Sequence, residues 1–171
     1  MDGVLSVVEQ QPYKVISDIN GIQIRDYPAS VYAQVSLNEN PDRVGRKAFT
    51  PLIRYVSSNS IPMTAPVVQE ADGEGWNFSF VMPAGSKASD LTQPSDSQVT
   101  IRVAPAHRAA ATTWSGFWKY SEVNKRCDAM LEQLAEIGYQ AVDEPRWARY
   151  DPPWKPWFIR RQEVIIPILK L

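Results

Sequence analysis

Apolar and polar residues alternate in short runs punctuated by Gly, Pro and Asn, which predicts a chain built mainly of strands. The first runs are Tyr13 to Ile19 and Ile22 to Tyr27, joined by Asn20-Gly21, a strong tight-hairpin signal. In the second run Ile22 and Ile24 share one face and Gln23 and Arg25 the other, as in a half-buried strand. Pro28 breaks it, and Val31 to Leu37 resumes with Val31, Ala33 and Val35 on one side. The period then changes. Val44, Ala48, Leu52 and Val56 recur at helical spacing and predict a helix over 42–56, with Asn40 as N-cap, Pro41 at its first position and a kink near Lys47 caused by Pro51. Residues 61–69 read as an extended segment, and Trp76 to Met82 as a strand with Trp76, Phe78, Phe80 and Met82 on one face.

The second half carries the same order of elements. Val99 to Val103 and Arg108 to Trp114 read as strands, and Val123, Cys127, Met130, Leu131, Leu134 and Ile137 mark a helix capped by Ser121 and closed by Gly138. Trp147 to Tyr150 and Gln162 to Leu169 follow as strands. Laying Ile22–Leu37 on Val99–Trp114 brings Ile24/Ile101, Arg25/Arg102, Pro28/Pro105, Ala29/Ala106 and Ala33/Ala110 into register. Either two similar strand pairs arose by coincidence, or one strand-strand-helix-strand-strand unit is present twice. The second reading gives a single domain over 1–171, with units at about 13–82 and 99–169 and a Pro/Gly/Ser-rich linker at 83–98. Residues 1–11 read as a loose lead-in. The units differ in one place: DGEG at 72–75 corresponds to the much longer DPPWKPWFIRR at 151–161. Insertions into repeats are a common seat of function.

Composition narrows the chemistry. Eighteen Lys and Arg against 19 Asp and Glu give a formal charge of -1, so no global field favours nucleic acid. No apolar run is long enough for a membrane span, and the N-terminus lacks the basic start and long apolar core of a secretion signal, so a cytoplasmic location is expected. One cysteine excludes an internal disulfide, and one histidine excludes a His-pair zinc site. Nucleotide-binding, hydrolase and metalloprotease motifs are absent, which argues against an enzyme. Cys127 sits on the apolar stripe of the second helix and reads as a buried structural thiol. The adjacent pairs Asp26-Tyr27 and Tyr150-Asp151 could move protons in a pocket, although a solvated Asp beside a packed Tyr is the commoner arrangement.

Six Trp and seven Tyr suit either a large core or a flat apolar ligand. On the first helix Phe49 and Ile53 form a second apolar line flanked by Arg46; this is either a helix buried on a wide face or the wall of a binding surface. With Trp154, Lys155, Trp157 and Phe158 of the long loop it supplies ring contacts and cations, the mixture that a flat apolar molecule with carboxylates needs. The loop's PPWKP could instead serve as a polyproline ligand. His107, alone at a strand corner, reads as a surface residue, with axial metal ligation as the alternative.

IPMTAPV at 61–67, YDPPWKPWFIRRQEV at 150–164 and IRDYP at 24–28 resemble the SOUL/haem-binding protein family over nearly the whole chain. The resemblance implies an α+β fold: a distorted antiparallel β-barrel of two strand-strand-helix-strand-strand repeats about a pseudo-twofold axis, flanked by two helices, as in the effector-binding domains of bacterial multidrug regulators. It implies non-enzymatic binding of haem or metal-free porphyrin beside the first helix, for carriage, buffering or sensing. Matching that helix position by position implies a propionate partner in Arg46 and ring contacts in Phe49 and Ile53, with Lys155 as the second basic partner. A subgroup is proposed to use an axial histidine near the first helix, where this chain has none. Two other readings stay open for the fold: a hydrolase using a pocket acid such as Glu70 or Asp26, and a sensor of lipophilic cations.

Overall fold

A computed structural model describes residues 8–171 of the chain; of the lead-in expected at 1–11, 1–7 lie outside them, while Glu9–Gln10 form a short strand and not a loose segment. Twelve strands and two helices follow in the order β1 (Glu9–Gln10), β2 (Lys14–Ile19), β3 (Ile22–Tyr27), β4 (Ser30–Leu37), α1 (Val44–Ser58), β5 (Thr64–Ala65), β6 (Val67–Asp72), β7 (Gly75–Val81), β8 (Val99–Ala104), β9 (His107–Ser115), α2 (Tyr120–Glu136), β10 (Tyr139–Ala141), β11 (Arg146–Arg149) and β12 (Arg161–Lys170). The hairpin between β2 and β3 turns at Asn20 and Gly21, both at positive φ. Gly138 follows α2 at φ +85° and ends it, as a C-terminal glycine should.

Ten strands form one antiparallel sheet in the order β2-β3-β9-β12-β11-β6-β7-β4-β8, with β10 also paired to β12; β1 and β5 form a separate parallel pair. From β3 to β8 this order maps onto itself when β3 is exchanged with β8, β9 with β4, β12 with β7 and β11 with β6. The register follows the same exchange, since Ile24 pairs with Ala110 and Ile101 pairs with Ala33. The expected barrel does not close. Closure would join β3 to β8, but β2 occupies the free edge of β3 through its hairpin, so the sheet ends at β2 and β8.

Both helices lie on one face. There α1 covers Val31, Ala33, Val35, Phe78, Phe80 and Val99, while α2 covers Ile24, Ala110, Trp114, Trp147, Val164 and Ile166. Leu131, expected on the buried stripe of α2, is exposed. Two caps also differ from expectation. Residues 41–43 form a turn closed by the Asn40 carbonyl, which accepts the Arg43 and Val44 N–H groups, so α1 begins at Val44, after Pro41. At the other helix Ser121 is already inside α2. The first N–H, that of Tyr120, donates instead to Asp42 Oδ1 at 2.8 Å, so the turn before α1 caps α2.

The opposite face mixes small apolar clusters, around Tyr27, Ala111 and Ile165 and around Tyr32, Val68 and Val81, with a buried charged network. Arg25, expected to point into solvent, is 1% exposed. Its Nη1 donates to Glu163 Oε1 at 2.9 Å and its Nη2 to Oε2, a two-pronged pair across the intervening strand β9. Tyr150 and Thr113 hydroxyls also donate to Glu163, and the Tyr13 ring covers the Arg25 guanidinium at 3.9 Å. Nearby, Gln11 donates to Tyr32, tying the segment before β2 across this face. Burial pushes the Glu163 carboxyl up, but the hydrogen bonds from Arg25, Tyr150 and Thr113 and the charge of Arg25 outweigh it and hold the group at about 2.

Because this carboxyl titrates lower in the folded chain than its ordinary 4.5, its stabilisation is full above that value and lost as pH falls toward about 2. Glu163→Gln should destabilise the protein by about 3–5 kcal/mol at pH 7, leaving a buried guanidinium unpaired. In urea unfolding across pH, the gap between the two proteins should narrow below pH 4.5; a gap independent of pH would mean that the carboxylate charge is not what holds β3 to β12.

Candidate functional site

The candidate surface lies on the helical face, along α1 and the loop that precedes β12. On α1 the alternate rows separate as their spacing dictates: Ala48, Leu52 and Val56 are buried, Ile53 is half-buried, and Arg46 and Phe49 are exposed. Phe49 rests edge-on against Phe80 with ring centres 5.4 Å apart, so its other face is open. Arg46 makes no ion pair among the described residues.

The loop is held by its own hydrogen bonds. Asp151 takes the Lys155 ammonium at 2.7 Å and the Arg161 N–H at 2.6 Å. Arg160 donates to the carbonyls of Lys155 and Pro153 and lies over the Trp118 ring at 4.6 Å. Folded this way the segment is a cross-braced lobe, which speaks against an extended polyproline peptide. Trp157 stacks on Phe117 at 4.5 Å, while Trp154 is 84% exposed. Phe117, Trp154, Trp157, Phe158 and Ile159 together form an exposed apolar patch.

No hydrogen bond, ion pair or ring contact among the described residues joins Arg46, Phe49 or Ile53 to Trp154, Lys155 or Trp157. The two parts meet through residues that no sequence motif marks. Arg149 on β11 is 8% exposed; its Nη2 donates to Gln69 Oε1 at 2.9 Å, and its guanidinium lies 4.1 Å from the Trp147 ring centre and 5.5 Å from that of Trp118. Gly45, in the first turn of α1, faces the same guanidinium: a Cβ there would sit 3.5 Å from Nη2. The one signal in the sequence is the alternation of Arg146 to Arg149, which puts Arg149 on the same face as Trp147. Burial pulls the Arg149 guanidinium down to about 10, opposed by the charge of Asp42.

Other candidates are occupied. His107 Nδ1 lies 2.9 Å from the Pro105 carbonyl and Nε2 lies 2.8 Å from Arg146 Nη2, so a ring with its proton on Nδ1 satisfies both contacts. The thiol of Cys127 is buried on α2, and burial, with Asp128 nearby, pushes it up to about 11. Asp26 is exposed and paired with Arg108, and Glu70 with Arg102 at 2.9 Å. The adjacent pairs Asp26-Tyr27 and Tyr150-Asp151, for which a packed Tyr beside a separate Asp is the commoner arrangement, do not join: Tyr27 OH accepts from Arg25, and Tyr150 OH donates to Glu163. Two surface clefts, one between the β2–β3 turn and the end of α2 and the other beside β8, contain none of the candidate residues. Among the described residues no helix is long and apolar enough to cross a membrane.

Comparison with known proteins gives the following. The sequence matches the SOUL heme-binding protein family over residues 8–167. No curated protein matches it. The fold is similar to the EcmrR C-terminal domain, with a TM-score of 0.72 at 13% identity, covering 93% of this chain and 99% of that one. It is also similar to a hydrolase from Listeria innocua, with a TM-score of 0.57 at 10% identity over 90% of this chain and 94% of that one. SAV2435 bound to tetraphenylphosphonium gives 0.53 at 6% identity, covering 86% and 93%.

Burial lowers the titration range of His107, with the charge of Arg146 adding to the effect. The imidazole should therefore titrate below its ordinary 6.5, and this part of the stability should fade as pH drops through that range. An NMR titration of the single histidine tests this; a midpoint above 6.5 would show that the Arg146 contact is not made in solution.

Proposed function

Since the chain belongs to the SOUL heme-binding protein family, we propose that it binds haem or a metal-free tetrapyrrole, without catalysis, on the surface built by α1 and the loop at 151–161. The observation that carries this reading is the pairing of open aromatic area with cations: Phe49 and the patch around Trp154 and Trp157, bracketed by Arg46 and Lys155. Phe49, Ile53, Trp154 and Trp157 supply contact for a ring face, and Arg46 and Lys155 receive its carboxylates. Area burial at about 25 cal/mol per Å² and charge-assisted hydrogen bonds of roughly 1.5–3 kcal/mol each are enough for micromolar binding. Lys155 is already paired with Asp151, so its contribution is a shared one.

The donor set fits the ring and carboxylates of the ligand better than its iron. The only histidine has both nitrogens engaged, and the only thiol is buried with its proton held on. Bound iron would keep its own redox and ligand chemistry; this chain's residues orient the ring and neutralise its acid groups. Transport, buffering or sensing of the tetrapyrrole follows from such reversible contact. We also read the exchange symmetry of the sheet as two units, at about 13–82 and 99–169, within one domain.

A hydrolase or a sensor of lipophilic cations would need an acid free to act in a pocket. Here Glu163 and Glu70 on the face opposite the helices are both paired with arginines, which supports the tetrapyrrole reading over those two.

Haemin and metal-free protoporphyrin should therefore bind with similar affinity and only a modest Soret shift, followed by quenching of Trp emission. His107→Ala should change neither, and changing Arg46 and Lys155 together to Ala should weaken both by about tenfold or more. Binding of haemin alone, with a sharp ligated spectrum lost in the His107 variant, would overturn the reading.

A further inference from the structure

Arg149 is a buried cation that forms no ion pair among the described residues. It projects from β11 onto the helical face, in the seam between the first turn of α1 and the turn that carries Trp118. Its strand neighbours are Val67 on β6 and Gln162 on β12, neither an acid. Both buried amides beside it are committed elsewhere: Gln69 donates to the Pro41 carbonyl, which turns its oxygen toward Arg149, and Gln162 donates to the Gly116 carbonyl while accepting from Trp147. Asp42, whose charge acts on Arg149, already caps α2.

The guanidinium is thus held by one neutral hydrogen bond and by the rings of Trp147, Trp118 and Phe78. Ring stacking uses the flat faces of the group and leaves the donors at its edge without a charge partner. Arg149 Nε is buried with no hydrogen-bond partner, and so is Trp118 Nε1 in the same cluster. Buried donors without a partner are costly unless something accepts from them. Gly45 leaves that side of the guanidinium without a side chain: a Cβ there would press on Phe78 Cε2 at 3.2 Å and lie in van der Waals contact, 3.5 and 3.6 Å, with the two Nη atoms.

We propose that the seam between Gly45 and Trp118 is a carboxylate-binding site in which Arg149, supported by the Trp118 N–H, receives an acid group of the ligand. This deepens the tetrapyrrole reading and rests on it for the identity of the ligand, making Arg149 a buried propionate partner in addition to Arg46 and Lys155. The position fits. Phe80, against which Phe49 rests, pairs with Val67, and Val67 pairs with Arg149, so Arg149 lies two strand spacings, about 10 Å, from the strand beneath Phe49. The burial that lowers the titration range of Arg149 still leaves it charged at neutral pH.

The test follows Trp quenching by protoporphyrin, its dimethyl ester and pyrenebutyrate, in the wild type, Arg149→Gln and Gly45→Ala. Arg149→Gln should weaken protoporphyrin and pyrenebutyrate about tenfold or more and leave the ester within about twofold. Gly45→Ala favours the helix and keeps the guanidinium while placing a methyl against it and against Phe78, so it should weaken the acids by about threefold or more and, if the effect is on the carboxylate and not on Phe78 packing, leave the ester within about twofold; it carries the test if circular dichroism shows that Arg149→Gln does not fold. Porphyrin affinity unchanged in both variants, or equal affinity of the wild type for acid and ester, overturns the carboxylate site and leaves the tetrapyrrole reading standing. Arg149-dependent binding of pyrenebutyrate with no porphyrin binding does the reverse, keeping the carboxylate site and removing the tetrapyrrole, and failure of every probe sinks both.

Discussion

The pairing of Arg25 with Glu163 is the constraint on which the sheet depends. The two residues stand on β3 and β12 with β9 between them, and each is almost wholly withdrawn from water. A charge in that position is tolerable only with a partner and with its remaining donors and acceptors satisfied. Tyr27, Tyr150, Thr113 and Arg161 complete the set around them. Slipping β12 by one residue would turn Glu163 to the helical face and strand Arg25, so the pair fixes register as well as proximity. It also decides which side of the sheet is open for binding. With Arg25, Glu163, Tyr27 and Tyr32 packed within it, the inner face is filled by the chain itself, and the aromatic surface along α1 and the 151–161 loop is what remains.

The helical face is organised by a different economy of charge. Asp42 reaches from the turn before α1 to the first N–H of α2, joining the two helices at one end of the seam. Arg149 Nε and Trp118 Nε1 lie in the seam without a hydrogen-bond partner among the described residues, as does Trp114 Nε1 beneath α2. Stability alone would favour an apolar residue on β11 at this point, since neutral rings and amides surround it. A buried arginine kept there against that preference is most simply accounted for by an acid that arrives from outside.

Local features are legible in the sequence and distant partners are not. The Asn20-Gly21 turn, the Gly138 stop, the two helices and the exposed row of Arg46 and Phe49 all follow from residues a few positions apart. Ser121 has the right chemistry for a cap and is not one, because the true acceptor, Asp42, comes from a distant turn. Arg25 escapes prediction for the same reason: alternation along β3 identifies the two faces but cannot report that Glu163 covers the polar one. Closure of the barrel fails on the hairpin strand β2, whose presence is legible and whose effect on the edge of β3 is not. At the candidate site, composition flags the loop and periodicity flags α1, while the Arg149 and Trp118 junction between them requires knowing that β11 lies beside β6.

The place of β12 in the sheet has a bearing on how the chain reaches this state. It is the last of the described strands to be synthesised, yet it lies inside the sheet, paired with β9 on one side and β11 on the other. On the ribosome, β2, β3 and β9 can assemble on one side and β6, β7, β4 and β8 on the other, but nothing spans the gap until β12 emerges. Arg25 waits through that interval for a partner 138 residues away. Closing contacts of such sequence separation is slow, and open strand edges invite other chains meanwhile. Vectorial synthesis therefore leaves this fold most vulnerable just before β12 emerges, when the other described strands exist and their central seam is still empty.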